Sequence, residues 1–435
     1  SNTDSQPAPP EHGSDRPACI PRRTGEVTNV ESGTTYVKSS YAFSKPVHQR
    51  RPAIGRSHTD ASTKASGGGS NASAPGTNAS SVAGTKASSS TEGASSAQAS
   101  SPGASRPGAS SAHASSEARA SALGAFEVAF FDLQGKATNR PLVDILGGAV
   151  RAAVPYSAYL FYKFARHKDD PGYAPDPWGE ALTHQQMVDQ ARRMIDLNGF
   201  GSIKLKAGVF EPDFEIETLR ALRDAFPDYP LRIDPNGGWR VDTTRRLMPQ
   251  LTGLLEYLED PCGTLEEMGE VSAFAPMPLA TNMVTIAFGH LPKSLRLNSV
   301  QVVLSDHHYW GGLRATQQLA HVGRIFGFGI SMHSNSHMGI SLAAMTHVGA
   351  SIPNLAYACD THYPWQEDEV IEGGKLSFVD GALAPPKGPG LGVTLDRAAL
   401  ARLHENWLRC GIRKRDDAKE MRKYKPDWSS ARPRF

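Results

Sequence analysis

Acid and amide side chains stand at the ends of three consecutive apolar runs in the middle of the chain. Asp234 closes LRID, Glu259 closes LEYLE, and Asn282 follows PLAT. If these runs are neighbouring parallel strands, their carboxyl ends meet at one edge of the sheet. Carboxylate and amide oxygens are the ligands that Mg²⁺ favours. The sequence therefore predicts a magnesium site at Asp234, Glu259 and Asn282, with Glu266 and Glu267 left as alternatives for the second ligand.

Another run places two lysines on one face of a strand. In SIKLKA, the two-residue period puts Lys204 and Lys206 on one side and Ile203 and Leu205 on the other. The apolar pair should face surrounding helices, so both lysines should point into the mouth of a barrel. Two neighbouring, partly desolvated ammonium groups lower each other's pKa, which makes a lysine usable as a base near neutral pH. Taken alone, the motif also fits a solvated Lys-x-Lys pair on an edge strand, but the acids at the following strand ends disfavour this.

Two further runs end in an aspartate and a histidine, Asp306 in VVLSD and His333 in ISMH. An aspartate on one strand can hold a histidine on the next in one tautomer and raise its basicity. His333 and His337 also have the i, i+4 spacing of a zinc-binding helix. They lack the glutamate of H-E-x-x-H, and the run is typical of a strand, so we expect no zinc there.

Together these residues predict one kind of reaction. Mg²⁺ would bind a substrate carboxylate and stabilise the dianion formed when the adjacent carbon loses a proton. Lys206 and a His333–Asp306 pair would flank that carbon from opposite faces, and each proton transfer would contribute ~10²–10⁴-fold in rate. Proton loss beside a carboxylate, followed by loss of a β-hydroxyl, is a dehydration.

Eight strand-like runs, with helices between them, must position these side chains. The runs are 156–161, 202–207, 231–236, 255–261, 278–283, 300–306, 329–335 and 355–361. Helical patterns fall between them, as in HQQMVDQARRMIDL, FEIETLRALRDAF and LRATQQLAHVGRIF. Strands that alternate with helices predict an α/β protein with a parallel sheet, and eight strands favour a closed (β/α)8 TIM barrel over an open sheet. The stretch 155–390 has about the length of such a barrel, ~250 residues.

The 435 residues divide into an apolar-poor N-terminal quarter and an ordinary globular remainder. Hydrophobic residues make up 39% of the chain, no leucine precedes Leu123, and 64–121 is mostly Ser, Ala, Gly, Thr and Pro. Such a segment buries too little apolar surface to offset the entropy of ordering. We expect four parts: a low-complexity, disordered segment at 1–121, a helical lead-in at 122–153, a barrel catalytic domain at 154–390, and a tail at 391–435 that packs on the barrel.

Charge and cysteine content exclude several kinds of partner and site. The 46 Lys and Arg against 44 Asp and Glu give a net charge of +2, which offers no basis for binding nucleic acid. No apolar run approaches the ~18–20 residues of a membrane span, and the N-terminal residues contain no apolar h-region of a secretory signal. The four cysteines lie far apart, which fits free thiols better than a zinc ribbon or a disulfide framework. We expect a cytoplasmic protein with a small-molecule substrate, and homo-oligomerisation is left open.

The motifs around these residues resemble the enolase superfamily and, within it, the D-glucarate dehydratases. The matching text runs from about Leu123 to Trp428 and includes FEVAFFDLQGKA, SAYLFY, SIKLKAG, RIDPNGGW, YLEDPCG, PLATNM, SDHHYWGG, MHSNSH, ACDTHYPWQ, PGLGV and RDDA. The resemblance implies an enolase-type barrel and a Mg²⁺-dependent conversion of D-glucarate, and of L-idarate, to 5-dehydro-4-deoxy-D-glucarate. The choice of glucarate over galactarate or another aldarate rests on the resemblance alone.

The resemblance also implies a role for each residue that matches a family motif. The residues it makes catalytic are Lys206, His333, Asp306 and Asn335. Lys206 and His333 would be the bases on opposite faces, and His333 would then protonate the departing hydroxyl. The residues it makes substrate-binding are Tyr159, Lys204, Asn236, Ser334, His362 and Arg415. The residues it makes metal ligands are Asp234, Glu259 and Asn282.

The N-terminal part of the chain departs from the family pattern. The family begins with an α+β capping domain whose loops close over the barrel mouth, and none of its motifs is found in residues 1–122. Without a lid, water enters the site and electrostatic stabilisation weakens. Three hypotheses stay open. The first is an acid-sugar dehydratase, which the complete set of metal and proton-transfer residues favours. The second is an active barrel whose cap comes from another polypeptide, and the third is a catalytically impaired barrel that binds a ligand or a partner protein.

Overall fold

Seven parallel strands form the centre of the computed structural model, which describes residues 108–166, 168, 175–411 and 416–435, with side chains from residue 119 onwards. The strands in chain order are β1 (Val154–Pro155), β2 (Ala158–Phe161), β3 (Ile203–Lys206), β4 (Leu231–Asp234), β5 (Tyr257–Glu259), β6 (Leu279–Thr281), β7 (Val302–Ser305), β8 (Gly329–Met332) and β9 (Ala382–Leu383). β2 to β8 make one parallel sheet in which each strand lies beside the next along the chain, and β1 pairs antiparallel with β9. Repeated βα units of one hand produce this order.

Helices lie before, between and after the strands of this sheet. They are α1 (Gly108–Thr138), α2 (Leu142–Ile145), α3 (His184–Asn198), α4 (Pro212–Ala225), α5 (Val241–Leu251), α6 (Leu265–Ser272), α7 (Leu291–Leu297), α8 (Leu313–Phe326), α9 (Gly339–Ser351), α10 (Arg397–Cys410) and α11 (Asp417–Arg422), with short 3-10 helices at Phe288–His290 and Tyr363–Trp365. Each of α3 to α8 falls between two consecutive strands, so the described residues contain six βα crossovers.

The segment 355–361 closes the sheet between β8 and β2. Asp360 N donates to Met332 O at the end of β8 (2.8 Å), and Cys359 N donates to Pro155 O shortly before β2 (2.8 Å). The predicted α/β fold with a TIM-type barrel is confirmed. The prediction of a regular eighth strand is wrong. The segment 355–361 makes isolated parallel bridges to its two neighbours in place of a continuous ladder.

The helices form where several sequence signals coincide, as α3 illustrates. The Thr183 hydroxyl accepts from Gln186 N (3.3 Å), and Gln186 Oε1 accepts from Thr183 N (3.0 Å), which makes a capping box. Gly199 ends the helix with φ 71, a left-handed conformation that glycine adopts at little cost. Met187 and Met194, two turns apart, lie on the buried face that packs on the sheet.

The strands are buried on both faces, so their polar side chains need partners. Every residue of β2 to β7 is buried. A buried charge without a partner costs several kcal/mol or more. Arg232 on β4 meets this requirement with Glu256, at 2.6 Å, and by lying over the ring of Tyr257, 4.8 Å from its centre. Lys204 and Lys206 on β3 face the same requirement.

The predicted domain boundaries meet the structure only in part and stay predictions. α1 begins at Gly108, ahead of the predicted boundary at residue 122, and α2 follows it as the lead-in to the barrel. The predicted low-complexity segment, and with it the question of the capping domain, falls largely on residues 1–107, which lie outside the described residues. The tail 391–435 carries α10 and α11. Among the described helices, none is both long enough and apolar enough to cross a membrane.

A buried histidine on α9 links the lead-in to the barrel. His347 Nδ1 accepts from Val143 N (3.1 Å), and its Nε2 donates to Leu391 O (3.2 Å), so only the neutral imidazole satisfies both bonds. Burial lowers the pKa of His347 from 6.5 to about 4. The stabilisation is therefore complete above the unfolded-state pKa and is lost as the pH falls through the folded-state pKa.

We predict that acid weakens the wild-type fold through His347. Between about pH 7 and about pH 5, His347 should remove about 2 kcal/mol from the free energy of unfolding, because the unfolded imidazole takes up a proton that the folded one refuses. The urea midpoint of His347→Gln should therefore fall less over this range than that of the wild type. His404→Gln, at an exposed position on α10, is the control and should follow the wild type. Equal pH slopes for wild type and His347→Gln would show that this histidine is not responsible.

Candidate active site

Lys204 lies fully buried inside the barrel among three carboxylates. Its Nζ is 2.6 Å from Asp360 Oδ2, 2.5 Å from Glu259 Oε2 and 3.9 Å from Asp234 Oδ2. Burial favours the neutral amine, but Asp360 and Glu259 outweigh it and raise the pKa of Lys204 well above its ordinary value. The expectation that the pKa of both lysines is depressed is therefore wrong for Lys204, because two carboxylates touch it. These contacts favour its protonated form.

Lys206, two residues further along β3, has a different environment. Its Nζ donates to Asp234 Oδ2 (2.5 Å) and to Asn236 Oδ1 (2.7 Å). Burial lowers the pKa of Lys206, the charge of Lys204 adds to this effect, and Asp234 offsets only part of it. For Lys206 the depressed pKa agrees with the expectation from the sequence. A lysine in this environment can lose its proton and act as a base.

The three predicted metal ligands lie together at the carboxyl ends of neighbouring strands. Asp234 and Glu259 are the last residues of β4 and β5, Asn282 directly follows β6, and all three are buried. Asn282 Nδ2 donates to Glu259 Oε1 (3.1 Å), whereas Asn282 Oδ1 is buried without a hydrogen-bond partner among the described residues. A buried polar atom left unpaired costs about 1–3 kcal/mol. Beside two carboxylates, this oxygen completes a donor set that fits a divalent cation.

The charges around Glu259 also favour a divalent cation at this position. Burial raises the pKa of Glu259 well above its ordinary value, and the charges of Asp234 and Asp360 add to this, with Lys204 acting against them. The side chains of the protein thus leave negative charge at this position incompletely balanced. A divalent cation would favour the ionised carboxylate, so the residues present fit Mg²⁺.

Asp306, which follows β7, holds two imidazoles. His333 Nδ1 lies 2.9 Å from Asp306 Oδ2, and His308 Nδ1 lies 2.6 Å from Oδ1. Burial would raise the pKa of Asp306, but the charge and hydrogen bond of His308 and the bond from His333 hold it well below its ordinary value. Because the carboxylate is ionised, each ring donates from Nδ1. The neutral form of His333 therefore presents Nε2 as a proton acceptor.

Four predicted substrate-binding residues border this cluster. Tyr159 OH donates to Asp234 Oδ2 (3.4 Å), and the rings of Tyr159 and His362 have centres 4.8 Å apart. His362 Nδ1 and Ser334 Oγ are 3.4 Å apart. Asn236 Nδ2 is buried and has no hydrogen-bond partner among the described residues, so it is a donor suited to a substrate oxygen. The structure thus brings these residues together with the lysines and the metal set.

The two remaining predicted site residues are Asn335 and Arg415. Asn335 lies two residues after His333, in the loop that follows β8, and is half-buried. Arg415 lies outside the described residues. The catalytic, substrate-binding and metal roles of all the named residues stay predictions, whatever their position.

Three residues at the site were not singled out from the sequence. Asp360 contacts Lys204, and its signal was that it closes the last strand-like run as acids close the earlier ones. His308 is the second of two histidines that follow Asp306. Asp260 directly follows Glu259; its carboxylate accepts from the hydroxyl of the last residue of β6 (2.5 Å) and from Asn282 N (2.8 Å). Nothing in its spacing distinguished it from a surface acid.

Other groupings are weaker candidates for a metal. Ligand atoms of Asp306, His307 and His308 lie within 4.8 Å of one another. Asp306, however, already uses both carboxylate oxygens in hydrogen bonds with histidines. The loop that carries His333 and His337 is not helical, so the i, i+4 spacing does not place these two rings on one helix face.

Comparison with known proteins gives the family. The family model "Enolase C-terminal domain-like" matches residues 186–399. A probable glucarate dehydratase of Streptomyces coelicolor is 52% identical over 312 residues, which cover 71% of this chain and 72% of that protein. The chain belongs to the glucarate dehydratase family of the enolase superfamily. It is therefore an enolase-superfamily enzyme, a dehydratase with a small-molecule substrate.

Solved enolase-superfamily structures agree with this assignment. An enolase from Pseudomonas fluorescens Pf0-1 with bound magnesium, potassium and tartrate is 56% identical, with a TM-score of 0.72 over 77% of this chain and 79% of that one. An enolase from Thermobispora bispora complexed with magnesium and formate is 53% identical, with a TM-score of 0.71 over 74% of this chain and 76% of that one. The hypothesis of a barrel that serves only as a binding or partner protein finds no support among these members of the superfamily.

We predict that Asn282 contributes to binding a divalent cation. Mn²⁺ is a paramagnetic substitute for Mg²⁺, and electron paramagnetic resonance measures its free concentration during a titration. Asn282→Leu keeps the size of the side chain but removes the oxygen, so it should weaken Mn²⁺ binding at least about tenfold. Asn406→Leu on α10 is the matched control. If Asn282→Leu binds Mn²⁺ as the wild type does, the cation does not occupy this site.

Proposed function

We propose that this enzyme dehydrates D-glucarate, and its epimer L-idarate, to 5-dehydro-4-deoxy-D-glucarate in a Mg²⁺-dependent reaction. The observation that carries the proposal is the order of groups around the barrel mouth. Lys206 ends β3, His333 follows β8, and the oxygen-donor set comes from β4 to β6 between them. The 52% identity to a probable glucarate dehydratase and the magnesium in two solved relatives support it.

Asp234, Glu259 and Asn282 would hold the metal ion. When bound, Mg²⁺ supplies positive charge to the substrate carboxylate and so eases proton loss from the adjacent carbon. Lys204 adds a fixed charge of its own, because contact with two acids keeps it protonated. We place it beside the same carboxylate.

Two bases would reach the reacting carbon from opposite faces. Lys206 would accept the α-proton from one face as a neutral amine, a form that its lowered pKa makes accessible. His333 would accept it on the other face through Nε2, since its Nδ1 donates to Asp306. Two epimers that differ at this carbon would each present the proton to a different base.

Loss of the β-hydroxyl completes the dehydration. Protonated His333 would give its proton to the departing hydroxyl, which leaves as water, and the electron pair of the broken C–H bond forms the new double bond. The resulting enol becomes the 2-keto acid by moving one proton from oxygen to carbon. Atoms balance as aldarate to keto acid plus water.

The rest of an aldarate consists of hydroxyls and a second carboxylate, and polar side chains suit them. The residues that we propose for this contact all carry hydrogen-bonding side chains: Tyr159, Lys204, Asn236, Ser334, His362 and Arg415. The unpaired Nδ2 of Asn236 is the strongest structural support among them. Asn335 would assist His333 from the loop after β8.

The first test is formation of a 2-keto acid from D-glucarate. We expect turnover with Mg²⁺, loss of turnover with a chelator, and recovery when Mg²⁺ is restored. Galactarate serves as the comparison substrate, because it differs from glucarate only in hydroxyl configuration. Folded protein that forms no keto acid from D-glucarate in the presence of Mg²⁺ would contradict the proposal.

A second test separates the two bases. In ²H₂O, Lys206→Ala should abolish α-deuterium incorporation into one of D-glucarate and L-idarate, and His333→Ala should abolish it for the other, because each base serves one face. Nuclear magnetic resonance measures the label in both substrates. If neither substitution changes incorporation into either epimer, the two-base assignment is wrong.

A third prediction concerns the partner of His333. Asp306→Asn should lower dehydration about 10²–10⁴-fold, because an amide no longer fixes the tautomer or favours the imidazolium. Proton exchange at the Lys206 face should persist in this variant. Asp189→Asn, at an exposed position on α3, is the matched control. Full activity in Asp306→Asn would remove Asp306 from the mechanism.

A further inference from the structure

Charged side chains from two distant parts of the chain hold the backbone just after Lys206. Gly208 N donates to Glu215 Oε2 (2.9 Å), and Arg434 Nη1 donates to Gly208 O. Glu215, on α4, is fully buried and also accepts from the next two backbone N–H groups at 2.8 and 3.0 Å. The backbone of Gly208 is thus held through its N–H by an acid and through its carbonyl by a guanidinium.

Arg434 and the following residue, Phe435, also bond to the loop after β4. Arg434 N and Phe435 N both donate to Gly238 O, at 2.8 and 3.0 Å, and Arg240 N donates to Phe435 O at 2.8 Å. Residues 434–435 therefore span the loops that follow β3 and β4. The described segment 416–435 reaches them from a part of the sequence far from both.

These two loops touch each other beside the proposed base. A Cβ at Gly208, whose φ is 74, would lie 2.3 Å from Pro235 O, so no larger residue fits between the loops. Lys206 Nζ donates to Asn236 Oδ1 of the second loop at 2.7 Å. Movement of one loop against the other would change the direction of the Lys206 side chain.

The surroundings of Arg434 and Glu215 restrict the orientation of the guanidinium and favour the ionised carboxylate. The guanidinium of Arg434 lies over the ring of Trp428, 5.1 Å from its centre, which limits its orientations. Burial raises the pKa of Glu215 to about 7, and the backbone N–H groups and Arg434 act against this. Arg434 therefore favours the ionised carboxylate that accepts all three N–H groups.

We propose that Arg434 and Glu215 are positioning residues for Lys206, holding the loops after β3 and β4 in register so that Lys206 Nζ meets the α-proton. The inference rests on the proposed function. It predicts an effect on one face, because the bonds of residues 434–435 named above reach the loops after β3 and β4, whereas His333 follows β8. A displacement of about 1 Å at a reacting group can cost about 10²-fold in rate.

The test compares α-deuterium incorporation into the two epimers in full-length variants. Lys206→Ala first shows which epimer depends on Lys206. Arg434→Met should lower incorporation into that epimer at least about tenfold and change the other less than about twofold. Its kcat for the Lys206-dependent epimer should fall while KM stays within about twofold. Arg434→Lys should recover part of the loss, and Arg409→Met on α10 is the control.

The outcomes separate positioning from a general structural effect. Equal losses for both epimers in Arg434→Met, or incorporation as in the wild type, would overturn the inference. If circular dichroism shows that Arg434→Met does not fold, Arg434→Lys and Glu215→Gln decide by the same comparison of epimers. Wild-type protein that exchanges neither epimer would instead overturn the proposed function, so the two failures are distinguishable.

Discussion

Two lysine charges and three carboxylates buried together inside the barrel constrain the rest of this structure. Every residue of β3 and β4 is buried, so an isolated charge there would cost several kcal/mol or more. Lys204 and Lys206 are tolerated because acids from β4, β5 and the closing segment reach them. Two of the same acids, Asp234 and Glu259, are the candidate cation ligands. Meeting the structural need for charge balance therefore also assembles the site.

The two lysines differ in their neighbours and not in their residue type. Lys204 touches two carboxylates, Asp360 and Glu259, whereas Lys206 touches one carboxylate and an amide. Lys206 has one carboxylate contact fewer, and the charge of Lys204 acts in the same direction as burial, so the pKa of Lys206 is lowered. A lysine with a raised pKa and a lysine with a lowered pKa thus lie two residues apart on one strand. The two pKa shifts differ in part because the closing segment 355–361 brings Asp360 against Lys204.

The strand-end residues could be predicted from the sequence. A polar residue that closes an apolar run in a parallel sheet lies at the edge where the carboxyl ends of the strands meet. Asp234 and Glu259 followed from this rule, and the inward direction of both lysines followed from the two-residue period of a strand. The raised pKa of Lys204 could not be predicted, since its partner Asp360 lies 156 positions away. The irregular pairing of 355–361 could not be predicted either, because it depends on how the barrel closes between two strands already paired.

The loop that follows β4 has a strained backbone, and several hydrogen bonds hold it in place. Asn236 has φ 59, a left-handed backbone that costs a residue other than glycine about 1–2 kcal/mol. Its N–H donates to Asp234 Oδ1 (2.8 Å) and its Oδ1 accepts from Lys206, so bonds within the site offset part of the strain. The loop gains further support from residues 434–435, which donate to Gly238 O from outside any βα unit. The strand ends therefore bring the proposed reacting groups together, and residues 434–435, far from these strands in sequence, bond to the loops beside them.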